Sequence, residues 1–357
     1  MPFDFAGGGF PGTGGTCGVN LAAGASCDVV ITFSPVALGA FADTIDFAYN
    51  DGAAPQNATR DIQGTGGTPA VLDIAGLDPY DFGTLANGST TPVILNMDNS
   101  GAVIATAIAD GLGLAPPYAF TGAGYPGTNG DCGVSLAAGA NCNIEVQYNP
   151  SGLGATSDSI LINYDDGANP QVLAHGIQAT SVAPALLAIT EADPYDYGSI
   201  ASGATQTHTF TVSNSGGVSA TAVAETGVTL PFRYLGGAYP GTGGTCGVAI
   251  TSGGSCDIVV EFAPTGTGLQ ANTIDVGYFN GVSTVNVERD IQGTGLNPAV
   301  LAISETNPYD FTTRPTSSVT PHTFVVTNTG GAPATGVAGS GLASPYRFEG
   351  GSFPGTT

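Results

Sequence analysis

Residues Cys142-Asn-Ile-Glu-Val-Gln-Tyr148 alternate between apolar and polar side chains without a break. A two-residue period turns Cys142, Ile144, Val146 and Tyr148 to one face of an extended chain and Asn143, Glu145 and Gln147 to the other, as in a half-buried β-strand. Two further stretches, Cys27-Asp-Val-Val-Ile-Thr-Phe33 and Cys256-Asp-Ile-Val-Val-Glu-Phe262, carry the same pattern. Outward from these, Thr209-Phe-Thr-Val212 alternates likewise and stops at Asn214-Ser-Gly216, as its counterparts stop at Asn99-Ser-Gly101 and Asn328-Thr-Gly330. Asn and Gly tolerate positive φ, so these stops are predicted to be hairpin turns. Seven to nine short strands can be counted per unit, with no amphipathic helix. The expected class is all-β, built of antiparallel β-sandwiches.

The pattern repeats at the scale of a domain. Phe10-Pro-Gly-Thr13 returns at Tyr125, Tyr239 and Phe353, in steps of 115, 114 and 114 residues. Pro-Tyr-Asp recurs at Pro79, Pro194 and Pro308, and cysteine pairs at Cys17/Cys27, Cys132/Cys142 and Cys246/Cys256. Such a period is too long for a solenoid and fits a whole small domain. Units open at Pro69-Ala-Val-Leu72, Pro184-Ala-Leu-Leu187 and Pro298-Ala-Val-Leu301, and close on Gln63-Gly-Thr-Gly66 or Gln292-Gly-Thr-Gly295. The expected division is a C-terminal half-domain (1–66), two whole domains (67–180 and 181–295) and an N-terminal half-domain (296–357).

Composition narrows the function classes. Charged residues make up 9% of the chain, the net charge is −23, and all five cations are arginines: Arg60, Arg233, Arg289, Arg314 and Arg347. Five scattered arginines cannot line a phosphate track, so nucleic acid is not an expected partner. The same acidity opposes docking on anionic lipid, and no apolar run reaches the ~18 residues of a membrane span. Met1-Pro-Phe-Asp4 lacks the cationic start and apolar stretch of a signal peptide. The expectation is therefore a signal already removed or a chain that begins inside a longer protein, and the repeats favour the second.

Each cysteine pair is ten residues apart and flanks a turn rich in Ala and Gly. Disulfides Cys17–Cys27, Cys132–Cys142 and Cys246–Cys256 are expected within units, and they imply an oxidising compartment. No His or third Cys stands near a pair to complete a zinc site. His208 and His322 share a repeat position that is Val93 in the second unit, which marks it as a packing position; His175 is the third histidine. No nucleophile motif accompanies them, so no catalysis is expected.

Two features leave binding open. Asn50-Asp51-Gly52, Asp165-Asp166-Gly167 and Asn280-Gly281 mark one acidic turn, and Asp78/Asp81, Asp193/Asp196 and Asn307/Asp310 another. Asp51, Asp165 and Asp166 could supply oxygen to calcium, although Asp-Gly and Asn-Gly are also ordinary hairpin corners and no spacing matches a known calcium loop. No other cofactor is implied. Phe232-Arg-Tyr-Leu-Gly-Gly-Ala-Tyr239 and its copy across Tyr118, Phe120 and Tyr125 set aromatics in Gly/Pro loops. Tyr118, Phe120, Tyr125, Phe232, Tyr234 and Tyr239 could meet a glycan or a neighbouring subunit, but core packing of a strand and turn explains them more simply. The chain has no Trp, the ring best suited to grip a sugar.

Taken together, Asp81-Phe-Gly83, the Asn-Ser/Thr-Gly stop, the run Cys17-Gly-Val-Asn-Leu-Ala-Ala-Gly-Ala-Ser-Cys27, Phe33-Ser-Pro35 and the closing Gly-Thr-Gly resemble bacterial choice-of-anchor D domains. They resemble equally the wider group of immunoglobulin-like domains named for abnormal spindle, SPD-2 and hydin proteins. The resemblance spans the whole chain, with small departures at Asp196-Tyr-Gly and Asp310-Phe-Thr. It implies tandem immunoglobulin-like sandwiches in large bacterial surface or secreted proteins, with no catalytic activity and no defined ligand.

The expected function is a structural segment of an extracellular bacterial fibre, stalk or surface filament, with copies of itself as partners. The alternative is an adhesin repeat that binds glycan or another cell surface through the aromatic loops. Near-identity among the units favours the first. With no Lys in the chain, Lys–Asn isopeptide staples are excluded and disulfides are the covalent option. The half-domains are expected to be completed either by the rest of a longer chain or by a neighbour, head to tail. Met1–Thr13 and Ser344–Thr356 are versions of one stretch, and this duplication favours the longer chain.

Overall fold

The computed structural model describes residues 1–355. Its first four strands are β1 (Phe3–Phe5), β2 (Ile31–Phe33), β3 (Gly39–Asn50) and β4 (Pro55–Gly66). β1 pairs with β2, and β3 with β4, in two separate two-stranded sheets. The β3–β4 register runs unbroken from Gly39↔Gly66 to Asn50↔Pro55 across the Asp51-Gly52 corner.

Eight strands follow: β5 (Leu72–Ile74), β6 (Tyr80–Ala86), β7 (Thr91–Asn99), β8 (Thr106–Asp110), β9 (Tyr118–Phe120), β10 (Asn141–Tyr148), β11 (Gly154–Asp165) and β12 (Pro170–Val182). They form two four-stranded sheets, β5-β7-β10-β9 and β6-β12-β11-β8. The alternation in Cys142–Tyr148 is realised in β10, where Cys142, Ile144, Val146 and Tyr148 are all buried. Met97 on β7, and Ile160, Ile162 and Ile177 on the second sheet, are buried as well.

The next nine strands repeat the plan: β13 (Leu187–Ile189), β14 (Tyr195–Ala201), β15 (Gln206–Asn214), β16 (Ala220–Glu225), β17 (Phe232–Tyr234), β18 (Ala249–Ile250), β19 (Ser255–Phe262), β20 (Gly268–Phe279) and β21 (Thr284–Leu296). Their sheets are β13-β15-β19-β17 and β14-β21-β20-β16-β18. In both sets the first, third, sixth and fifth strands of the shared plan make one sheet and the second, last, last-but-one and fourth the other. That is the immunoglobulin arrangement. Inward residues of both sheets, among them Phe210, Val212, Phe232, Ile258, Phe262, Ile274, Val276 and Ile291, form one core. One edge departs from the antiparallel rule: β14 runs parallel to β21, with its register broken between Asp196 and Ser199. Gly198 sits at the break with φ 72°, so Asp-Tyr-Gly encodes a bulge. The final strands, β22 (Leu301–Ile303) and β23 (Val326–Asn328), pair only with each other among the described residues.

By contacts the chain divides into two compact units, one of residues 1–83 and 90–180, the other of 84–89 and the described residues from 181 onward. The chain is thus a tandem array of immunoglobulin-like β-sandwiches, nearly devoid of helix.

The predicted hairpin turns at Asn-Ser/Thr-Gly need correction. β7 and β8 lie in different sheets, so the chain crosses the sandwich there instead of folding back on itself. The amide of Asn99 is buried and acts as a hub. Its Oδ1 accepts from the backbone N–H of Val71 at 3.2 Å and of Gly101 at 3.0 Å. Its Nδ2 donates to the carbonyls of Val103 at 2.9 Å, Leu136 at 3.1 Å and Ala137 at 3.3 Å. Asn214 repeats the set with Leu186, Gly216, Val218, Ile250 and Thr251. The glycine is fixed by crowding, because a Cβ on Gly216 would stand 2.1 Å from the Pro184 carbonyl oxygen.

Candidate functional site

The sequence placed its candidate chemistry in the cysteine hairpins, the aromatic loops and the acidic corners. All three predicted disulfides are present, Cys17–Cys27, Cys132–Cys142 and Cys246–Cys256, with Cα separations of 4.8, 5.0 and 4.8 Å. The two cysteines of a pair do not sit on neighbouring strands. Cys142 lies on β10, whereas Cys132 lies in the preceding loop, its N–H donating to the Asn143 carbonyl at 3.4 Å. Between them the chain touches the opposite sheet, through Leu136 paired with Ala105. In the next unit the same contact is the strand β18, paired with β16. In these two units the disulfide therefore closes a loop that ties one sheet to the other, a constraint worth about 3 kcal/mol in the chain-entropy model.

The recurring Tyr/Phe-Pro-Gly-Thr element has a structural task. The Pro126 carbonyl accepts from Glu145 N–H at 2.7 Å, and Pro240 does the same for Val259 at 2.8 Å. The loop thereby caps the strand that carries the second cysteine. Gly127 (φ 97°) and Gly241 (φ 92°) sit so close beneath that strand that a Cβ would lie 2.4 and 2.3 Å from the carbonyl oxygens of Glu145 and Val259. Glu145, expected on an open face, is buried under this loop, where it accepts from Thr121 Oγ1, Asn129 N–H and Asn129 Nδ2. These bonds, that from Thr121 first, hold its carboxyl below the ordinary value. Glu261, two residues beyond Val259, the counterpart of Glu145, is also buried and pairs with Arg233.

Burial corrects the contact reading of the aromatics. Tyr118, Phe120, Phe232 and Tyr234 are core residues. Tyr118 packs against Tyr148 and Phe82 with ring centroids 5.0 and 5.9 Å away, and Phe232 stacks on Phe262 at 4.8 Å. Tyr125 and Tyr239 are half-buried and meet Phe120 and Tyr234 edge to face. Burial pushes the Tyr125 phenol up to about 12, and raises that of Tyr239. Alternation explains the outcome: in a three-residue strand the first and third rings face the core together.

The acidic corners satisfy their own turns. Asp51 Oδ1 accepts from the N–H of Ala53 at 2.8 Å and of Ala54 at 2.7 Å. Asp166 Oδ1 accepts from Ala168 at 2.8 Å and Asn169 at 2.7 Å, and its Oδ2 from Gln171 Nε2 at 2.9 Å. Asp165 Oδ1 accepts from Gly167 N–H at 2.8 Å. Backbone N–H donors, Ala54 first for Asp51 and Asn169 first for Asp166, hold these carboxyls below the ordinary value. Asn280 makes the same turn with Val282 and Ser283, both at 2.9 Å. A neutral amide is thus equivalent here. Among the described residues no three His, Cys, Asp or Glu side chains gather as a metal site. Asp81 and Asp196 hold the bulge: their Oδ1 atoms accept from Gly83 and Gly198 N–H, both at 2.7 Å.

His208 stacks on Tyr195 with ring centroids 3.9 Å apart, and its Nδ1 shares a hydrogen bond with the Tyr195 hydroxyl at 2.8 Å. His322 and Tyr309 repeat this at 4.1 and 3.0 Å. His175 is buried. What the sequence reading missed is the Asn99/Asn214 hub. Its available signal was that Asn-Ser/Thr-Gly recurs in all three copies while the true corners vary between Asp and Asn.

No family model and no curated protein matches the chain. Solved structures that align with it include three immunoglobulin domains of titin, I67–I69, at 10% identity over 72% of this chain and 87% of that one, with a TM-score of 0.29. The EC1–3 region of mouse clustered PcdhgC3 aligns at 9% identity over 76% and 84%, TM-score 0.29. The PapD-like domain 7 of human CEP192 aligns at 14% identity over 33% and 87%, TM-score 0.22.

Proposed function

We propose that this chain is a non-catalytic spacer, a run of disulfide-stapled immunoglobulin-like units from an extracellular bacterial fibre, stalk or surface filament. The observation that carries the reading is the fate of every recurrent motif. The cysteine hairpin, the Pro-Gly-Thr cap, the Asn-Ser/Thr-Gly hub and the Asp-Phe/Tyr-Gly bulge each serve the internal bonding of one sandwich. Repetition therefore multiplies stable length and does not multiply a site. Three disulfides support an oxidising, extracellular setting. The histidines, spent on packing and tyrosine contacts, support the absence of catalysis.

Immunogold electron microscopy of source cells, with antibody raised against residues 67–295, tests this directly. Regularly spaced label along surface filaments or stalks is the expected result. Label confined to the cell interior would overturn it. Saturable binding to a glycan array that is lost on Tyr239→Ala would replace the spacer with an adhesin.

A further inference from the structure

The corner between the last two long strands of the repeat is written in three ways: Asn50-Asp51-Gly52, Asp165-Asp166-Gly167 and Phe279-Asn280-Gly281. The third sets a side-chain amide directly before the glycine nitrogen, and its surroundings differ from those of the other two. Asn280 Oδ1 accepts from the N–H of Val282 and of Ser283, both at 2.9 Å. Asn280 Nδ2 makes no hydrogen bond among the described residues and is not buried, so it meets solvent. Gly52 and Gly167 donate their N–H groups to Asn50 Oδ1 and Asp165 Oδ1, both at 2.8 Å. Phe279 takes that place before Asn280 and offers no acceptor. Among the described residues the Gly281 N–H donates to nothing.

We infer that Asn280-Gly281 is a self-modifying site, at which the chain converts its own asparagine to aspartate and isoaspartate. Hydroxide removes the Gly281 amide proton, and the nitrogen attacks Cγ of Asn280. The N–C bond forms as the carbonyl π pair moves onto Oδ1. The N–H groups of Val282 and Ser283 already point at that oxygen, as the donors of an oxyanion hole do, and stabilise the charge as it develops. The intermediate collapses by expelling Nδ2, protonated by water, as ammonia, and a cyclic imide remains. Water then opens the ring at either carbonyl. Attack at the side-chain carbonyl gives aspartate, and attack at the main-chain carbonyl gives isoaspartate. The sum is asparagine and water to aspartate and ammonia. The main-chain carbonyl is itself polarised by the Ala185 N–H, which donates to it at 2.9 Å.

The comparable positions each lack a part of this arrangement. Asp51 and Asp166 accept from the same pair of turn amides, but those amides favour the ionised carboxyl, and a carboxylate resists attack by nitrogen. Asn129 has its Nδ2 tied to Glu145 Oε1 at 2.9 Å, and the Gly130 N–H is tied to the Gly127 carbonyl at 3.1 Å. At Asn87-Gly88 the Oδ1 atom is buried without a donor, so charge forming there would go unsolvated. Asp51 and Asp166 make the same turn as Asn280, so the aspartate product keeps the corner. The isoaspartate product inserts one more main-chain carbon into it. This chemistry is independent of the spacer role.

Ageing the full chain, disulfides intact, in heavy-oxygen water at mildly alkaline pH is the test, read by peptide mapping and isoaspartyl methyltransferase labelling. Conversion at 280 is expected to be faster in the folded chain than in a free peptide of residues 276–285. It is expected to exceed that at 129 by about tenfold or more. Phe279 is 38% exposed and can be replaced. Phe279→Asn supplies an acceptor of the kind Asn50 gives Gly52 and is expected to slow conversion several-fold. Phe279→Leu supplies none and is expected to leave the rate unchanged. Hydrogen exchange across 181–295 verifies that both variants remain folded. Slower conversion in the folded wild type than in the peptide overturns the inference, because the corner would then be a shield. Equal rates at 280 and 129 overturn it too, and so does a Phe279→Asn rate no lower than that of Phe279→Leu.

Discussion

The unit at 181–295 and the flanking segments at 1–66 and 296–355 are written in nearly the same residues, yet they hold them differently. Phe210 and Phe324 stand at the same repeat position, both preceded by His-Thr and followed four residues on by Asn. One is fully buried between two sheets and the other is 41% exposed. Local pattern sets which way a side chain points along its strand. Whether that direction is an interior depends on the opposite sheet being there. The same contrast holds for hydrogen bonds. Asn214 bonds to three separate segments, whereas among the described residues Asn328 bonds to Val300, Gly330 and Ala332.

The sharpest test of this difference is truncation of the shared ring. Phe210→Ala should destabilise its unit by about 3–5 kcal/mol through lost burial and the cavity left behind. Phe324→Ala, in dilute chain, should cost under about 0.5 kcal/mol, as an exposed substitution does. Segment-resolved hydrogen exchange reads both. If the penalties prove equal in dilute chain, the flanking segment has a core that its exposure denies.

Next in size is the staple. Cys246→Ser with Cys256→Ser should lower the stability of the 181–295 unit by about 3 kcal/mol, measured by urea unfolding. The matching change at Cys17 and Cys27 should leave that transition unmoved. The hub should rank close behind. Asn214→Ala leaves two N–H groups and three carbonyls short of a partner, at a cost of about 2–3 kcal/mol. Asn328→Ala, with more exposed partners, should cost less than half of that.

The smallest effect separates the two complete units. The Asp166 carboxyl is held below its ordinary value by the turn amides, so the folded state favours the charged form. Its stabilisation is complete at neutral pH and is lost as pH falls below the unfolded value of 3.8 and through the lower folded one. Asn280 at the equivalent corner does not titrate. Exchange protection at residues 165–170 should therefore weaken on acidification before that at 279–284. Asp166→Asn should remove the difference.

Much of the architecture was legible because it is periodic. Alternation gave the strands, self-similarity gave the repeat, and fixed cysteine spacing gave the three disulfides. The closing corners at Asp51-Gly52, Asp166-Gly167 and Asn280-Gly281 were legible because their chemistry is local: an Asx side chain bonds amides two and three residues on. What misled was polarity read without its surroundings. Asn99 looked like an exposed turn residue and proved to be a buried hub. Glu145 looked solvent-facing and lies under the Pro-Gly-Thr loop. Tyr118 and Phe232, for which core packing was the simpler of two readings, do form part of the core.

Sequence alone determined the strand-forming segments, the domain-length period and the covalent pairing, since each depends on residues close together along the chain. Tertiary structure alone decided which sheet a strand joins, that β14 runs parallel to β21, and that a polar side chain such as Asn214 is interior. Those outcomes depend on residues brought close from distant parts of the chain, and no local pattern encodes the distance between them.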